Sequence, residues 1–196
     1  MELLKQRILT EGSVRPGGVL KVDSFLNHQI DPILMDQIAE EFCRRFRDVR
    51  IDRILTMESS GISVAYAVAR QLGVPMVVAR KRPSVNLDGE THTAEVASAP
   101  GEPTGTVIVS KKYLSEGEHV LLVDDILANG FSMQALISLA DAAGASVEGI
   151  GIVIEKAFHE GGHRLRNLGF RLESLTVIES MDETTGQIRF RDRLRY

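Results

Sequence analysis

Cysteine occurs once in the 196 residues, at position 43, so no intrachain disulfide and no cysteine-rich zinc site can form, a usage that suits a reducing compartment. Cys43 stands beside Phe42 and close to Phe46 and reads as a packing residue. Long apolar runs are missing too: no stretch approaches the roughly 20 residues that a membrane span needs. The N-terminus places Glu2 and Lys5 around a short apolar run and does not resemble a signal peptide. There is no basic excess, since the net charge is -4 and the isoelectric point about 5.8, which removes the usual ground for nonspecific nucleic-acid binding. The expectation is a soluble, cytoplasmic protein with neither nucleic acid nor membrane as partner. Internal repeats and low-complexity tracts are absent, so the order of elements must give the fold.

What is present is 43% hydrophobic residues in a chain long enough for one substantial core and cramped for two, so residues 1–196 are expected to form a single domain. Helical spacing runs over 3–9. Asp31 followed by Pro32 caps and opens a helix to about Phe46. A short strand is expected over 53–57, a helix over 62–72 closed by Gly73, and a strand over 75–79. The continuous apolar run 120–123 predicts a strand buried on both faces, followed by an alanine-rich helix over 133–143 closed by Gly144. A strand over 147–154, a helix over 160–168 and a strand over 172–178 complete the order. Strands alternating with helices argue for an α/β fold, an open, mostly parallel sheet with helices on both faces and ligands at the carboxyl ends of its strands.

Two segments stand outside this pattern. Residues 82–105 are rich in proline, glycine and small polar residues, as in a lid or a disordered connection. Residues 12–29 precede the core and read as a small appendage. Near the C-terminus Arg189, Arg191, Arg193 and Arg195 alternate with Ile188, Phe190, Leu194 and Tyr196, the pattern of a solvated strand face or a dimer contact.

The most informative run is 120–132, VLLVDDILANGFS. A buried strand is expected to end in Asp124 and Asp125, and a loop with one glycine then enters a helix. Paired carboxylates can accept hydrogen bonds from vicinal ribose hydroxyls, while free N–H groups at a helix start can cradle a phosphate. Gly130 permits close approach or a positive φ, and Ser132 adds a hydroxyl. Taken alone, two aspartates after a strand and a serine at a helix start are also ordinary structural features.

The run resembles the phosphoribosyl pyrophosphate (PRPP) motif of type I phosphoribosyltransferases, with Asn129 and Ser132 where the general pattern has threonines. The Asp-Asp pair followed by Ala-Asn-Gly resembles the xanthine phosphoribosyltransferase subfamily in particular, and the likeness extends over essentially the whole chain, including 20–32. It implies that Asp124 and Asp125 serve catalysis at the ribose hydroxyls and that Ala128, Asn129, Gly130, Phe131 and Ser132 hold the 5-phosphate. The loop of Ser59 and Ser60 would receive pyrophosphate, with Arg80 and Lys81 neutralising it. Leu20, Asn27 and Lys156 would contact the base, the lysine donating to a purine carbonyl. Magnesium is implied as cofactor, bound with PRPP rather than by protein side chains, and a homodimer is implied as the assembly. The implied reaction is purine salvage, forming xanthosine 5′-monophosphate from xanthine and PRPP. Residues 1–31 correspond to a hood and 82–112 to a flexible lid that excludes water from the reacting sugar. His92, Glu90 and Glu95 read as exposed lid residues, and His159 with His163 lacks the rest of a zinc helix pattern.

Overall fold

A computed structural model describes residues 1–81, 89–97 and 104–191. Six strands form the central sheet in the order β10-β9-β8-β7-β3-β4, with β3 (Arg53–Met57), β4 (Met76–Ala79), β7 (His119–Leu127), β8 (Ser146–Lys156) and β9 (Leu172–Met181) parallel and β10 (Ile188–Phe190) antiparallel at one edge. Each crossover carries a helix or a strand pair, as parallel pairing demands. Two buried apolar clusters, one on either face, confirm the expected layers. On one side lie α1 (Glu2–Glu11), α2 (Pro32–Arg45) and α3 (Gly61–Leu72); on the other lies α4 (Phe131–Ala143), with Leu165 of α5 (Gly161–Asn167).

Local chemistry explains the helix ends. The Asp31 side chain accepts from the N–H groups of Ile33 and Leu34 at 3.0 and 3.1 Å, and Pro32 at the first position gives up no helical hydrogen bond. Gly73 and Gly144 close α3 and α4 in the left-handed conformation. Phe42 of α2 and Phe46, which caps its C-terminus, are fully buried, each worth about 1.5–3 kcal/mol of transfer free energy. They fit because β8 has Gly151 and Gly149 beneath them, where an added Cβ would fall 3.0 and 2.4 Å from the rings.

Several sequence expectations need correction. β7 does not end at the aspartates: it continues to Leu127, pairing Asp124 with Ile152 and Ile126 with Ile154 of β8. Lys156 is likewise the last residue of β8 rather than a residue beyond it. Segment 12–29, expected as a small appendage, packs against the core. It forms a hairpin of β1 (Ser13–Arg15) and β2 (Val19–Lys21) and a π-helical turn at Asp23–Asn27, and Leu20, Val22, Phe25 and Leu26 sink into the core. The segment expected to form a lid contains an unexpected antiparallel pair, β5 (Thr91–Ala97) with β6 (Thr104–Ser110), joined to the sheet edge by reciprocal Arg80–Ile108 main-chain hydrogen bonds. His92 is partly buried rather than exposed, and its Nε2 lies 3.2 Å from the Leu114 carbonyl. Cys43 is half-buried, and burial pushes its thiol pKa up. Residues 82–88 and 98–103 of the expected lid, and Arg193, Leu194, Arg195 and Tyr196 of the tail, lie outside the described residues.

Candidate active site

From β3 the chain moves outward to β4, whereas from β7 it moves the other way to β8 and β9. The direction therefore switches between β3 and β7, and the loops leaving their carboxyl ends diverge there, opening a crevice. Loop 58–60 leads from β3 into α3; loop 128–130 leads from β7 into α4. Arg80 directly follows β4 and Lys156 ends β8, at the same edge of the sheet. An open cleft of about 160 Å³ beside this edge is lined by Asp124, by 126–133 and by Ala97 of β5.

Asp124 and Asp125 point to different surroundings although they are neighbours. Asp125 is held at both oxygens, by Ser60 Oγ at 2.9 Å and by Asn27 Nδ2 at 3.0 Å. Asp124 accepts from the Asp125 N–H at 3.0 Å and is deeply buried. Burial, reinforced by the Asp125 charge, holds its carboxyl pKa well above the ordinary carboxylate range, with Lys81 pulling weakly the other way. Asp124 packs over the start of α3, where a Cβ on Gly61 would meet its Oδ1, and also Thr56 Oγ1, at 2.5 Å. Only glycine fits there.

The 128–130 loop is bound to the turn after β8. Gly130 has φ +82°, and Gly161 N–H donates to the Ala128 carbonyl at 3.0 Å. No helical partner exists for the first N–H groups of α4, and no side chain caps them, so they remain available to an anion. Ser132, expected to add a hydroxyl here, sits in that first turn. A Cβ at Gly161 would fall 2.3 Å from Ala128 O and 2.8 Å from Gly130 N, both backbone atoms. Gly161→Ala is therefore expected to displace the loop and cost about 1–3 kcal/mol, seen as a lowered melting temperature together with a raised KM for the phosphorylated substrate; an unchanged KM would show that the loop does not seat it.

In loop 58–60 Ser59 is exposed and Ser60 faces Asp125. The Glu58 carboxylate accepts from the Lys81 N–H at 2.6 Å and from Arg80 Nη1 at 3.0 Å, and these bonds lower its pKa. Arg80 and Lys81 are thus fastened to the loop after β3, and Arg80 remains about half exposed. Lys156 is buried; its Nζ donates to the Gly18 carbonyl at 2.9 Å, and desolvation pushes its pKa down. Gly18 N–H in turn donates to Glu183 at 2.6 Å.

The family model described as the phosphoribosyl transferase domain matches residues 22–166. The chain belongs to the phosphoribosyltransferase family. It is 51% identical over 192 residues to the xanthine phosphoribosyltransferase of Bifidobacterium adolescentis, covering 97% of this chain and all of that one. A xanthine phosphoribosyltransferase of Bacillus cytotoxicus is 50% identical over 185 residues, 94% of each chain. Among solved structures, the adenine phosphoribosyltransferase of Rhodothermus marinus superposes with a TM-score of 0.74 at 24% identity, over 90% of this chain and 96% of that one, and so shares the fold.

In this phosphoribosyltransferase Asp124, Asp125, residues 128–132, Ser59, Ser60, Arg80, Lys81 and Lys156 lie at or just beyond the carboxyl ends of β3, β4, β7 and β8. Asn27 reaches Asp125 from the hood, while Leu20 is buried in the adjoining core cluster. Sequence reasoning missed His159, Gly18 and Glu183. Their partners are 30, 138 and 165 residues distant in the chain, so no local pattern announces them.

Proposed function

We propose that this chain transfers the 5-phosphoribosyl group of PRPP to xanthine, forming xanthosine 5′-monophosphate and releasing pyrophosphate. What carries the reading is the convergence at one sheet edge of the buried Asp124–Asp125 pair, the 128–132 loop and the buried cation Lys156. The aspartates accept the ribose hydroxyls. Backbone N–H groups at 129–132 hold the 5-phosphate. Ser59 and Ser60, with Arg80 and Lys81, face the pyrophosphate, on which charge develops as the bond to the anomeric carbon lengthens. The purine ring nitrogen attacks that carbon from the opposite side, and the protein's contribution is orientation and neutralisation.

The base meets Lys156 as donor to a carbonyl and Asn27, whose Nδ2 is engaged by Asp125 and whose Oδ1 is left to accept a purine N–H. Magnesium belongs to this reading as an ion carried by the substrate. It would be held chiefly by phosphate and ribose oxygens, where it would supply charge neutralisation of the leaving group. A spectrophotometric screen of xanthine, guanine, hypoxanthine, adenine and orotate with PRPP and magnesium tests the proposal. Xanthine is expected to give the highest specificity constant, then guanine or hypoxanthine, then adenine; a higher constant for any other base overturns it.

A further inference from the structure

One pair of side chains at the cleft has no part in the scheme above. His159 Nδ1 lies 3.2 Å from Asn129 Oδ1. His159 belongs to the turn after β8, where its N–H donates to the Lys156 carbonyl at 3.1 Å, and its ring lies against Phe158 with centroids 4.8 Å apart. The same turn is fastened to the 128–130 loop a second time, by the Gly161 N–H to Ala128 carbonyl bond. The imidazole is thus fixed on both sides relative to the loop.

The consequence lies in the chemistry of asparagine. Its amide has one face that only accepts and one that only donates, and the two are nearly the same shape. A phosphate offers acceptors alone, so Asn129 serves an anion only with its NH₂ turned toward it. We infer that His159 is a positioning residue: its Nδ1–H donates to Asn129 Oδ1, turns the carbonyl away from the loop's ligand and leaves Nδ2 free to donate to the 5-phosphate. Burial and the nearby Lys156 charge hold the ring's pKa down, which favours the neutral imidazole, and the bond places its single proton on Nδ1. Without that donor the amide is free to reverse and to present an acceptor to an acceptor. The inference rests on the reading that 128–132 holds the 5-phosphate.

The experiment compares His159→Phe and His159→Asn in two backgrounds, native and Asn129→Thr, with PRPP binding by calorimetry, KM and kcat, and melting temperature measured for each. Phenylalanine keeps a ring against Phe158 without the proton, whereas asparagine retains an N–H near the place of Nδ1. A threonine hydroxyl at 129 rotates to donate by itself and needs no orienting partner. His159→Phe is expected to raise the Kd and KM for PRPP by about 5- to 20-fold, the loss of much of one charge-assisted hydrogen bond, with kcat at saturation within about twofold. His159→Asn should restore most of the affinity, and in the Asn129→Thr background His159→Phe should change it by less than about twofold. Equal losses in both backgrounds, or none in the native one, overturn the inference. His159→Leu is a second donor-free variant should the phenylalanine lower the melting temperature. Native protein that fails to bind PRPP would refute the phosphate-loop reading itself, whereas native binding undisturbed by either donor-free variant refutes only the role of His159.

Discussion

Lys156→Met is expected to lower kcat/KM for xanthine by about 10- to 100-fold while leaving PRPP affinity nearly intact. Methionine preserves the length of a buried side chain and removes its ammonium. In the native site that ammonium is pulled out of water, which pushes its pKa down, and it has the Gly18 carbonyl as its partner. A cation in such surroundings favours a ring edge that carries a carbonyl. Adenine brings a donor to that edge and, in displacing the Gly18 carbonyl, would offer the lysine no acceptor in exchange, a mismatch that a buried polar group punishes. Xanthine has a second carbonyl and partial negative charge near neutral pH, where guanine carries an amino group. The variant should therefore lose discrimination as well as rate, measured as the ratio of specificity constants for xanthine over guanine. Retention of the native ratio would move the selector to Leu20 and Asn27.

Asp124→Asn and Asp125→Asn are each expected to reduce kcat/KM for PRPP by about 10- to 150-fold, the value of a hydrogen bond to a charged acceptor. Their side effects should differ. Asp125 anchors Asn27 of the hood and Ser60 of the loop after β3, so its replacement should also weaken base binding, though by less than it weakens PRPP use. Asp124 has no such bonds, and its replacement should leave the base KM alone. Stability should move in the opposite direction from activity. Burial raises the folded-state pKa of Asp124, so between the ordinary carboxylate value and that raised value the folded protein keeps a proton that the unfolded chain has released. Stability then declines as pH rises through this window and is level above it. Asp124→Asn removes the decline. The variant should melt higher than native protein at neutral pH, and the two should converge below the ordinary carboxylate value. Thermal melts across pH decide this; a native protein as stable as the variant at neutral pH would mean that the buried charge is compensated.

Much of the frame was legible because buried parallel strands write themselves as apolar runs: 53–57 and 120–123 are strands, and Gly73 and Gly144 end their helices as the left-handed C-cap requires. The two misplaced strand ends share one physical cause, that charged and polar residues inside an element depend on partners that local pattern does not contain. Asp124 and Asp125 read as the end of a strand, yet β7 carries on to Leu127 because Ser60 and Asn27 satisfy one carboxylate and a raised pKa accommodates the other. Lys156 stays within β8 for the same reason, given the Gly18 carbonyl. The pair Thr91–Ala97 with Thr104–Ser110 was hidden because its threonines, alanines and serines carry little apolar alternation; main-chain pairing and the packing of β5 beside α4 hold it. At the site, the motif residues were visible as a contiguous run, while the His159–Asn129 pair joins separate turns and becomes visible only in three dimensions.

The bond between Lys156 and Gly18 supplies the lysine from within the chain with the kind of acceptor that the proposed substrate would bring. The hood tip, tied on its other side to Glu183, offers the lysine a backbone carbonyl of the kind that the proposed purine would bring. Arrival of the base is then an exchange of one acceptor for another, and its departure never strands a bare ammonium in an apolar wall. Such a placeholder lowers the net gain from each carbonyl, because only the difference between the two acceptors counts.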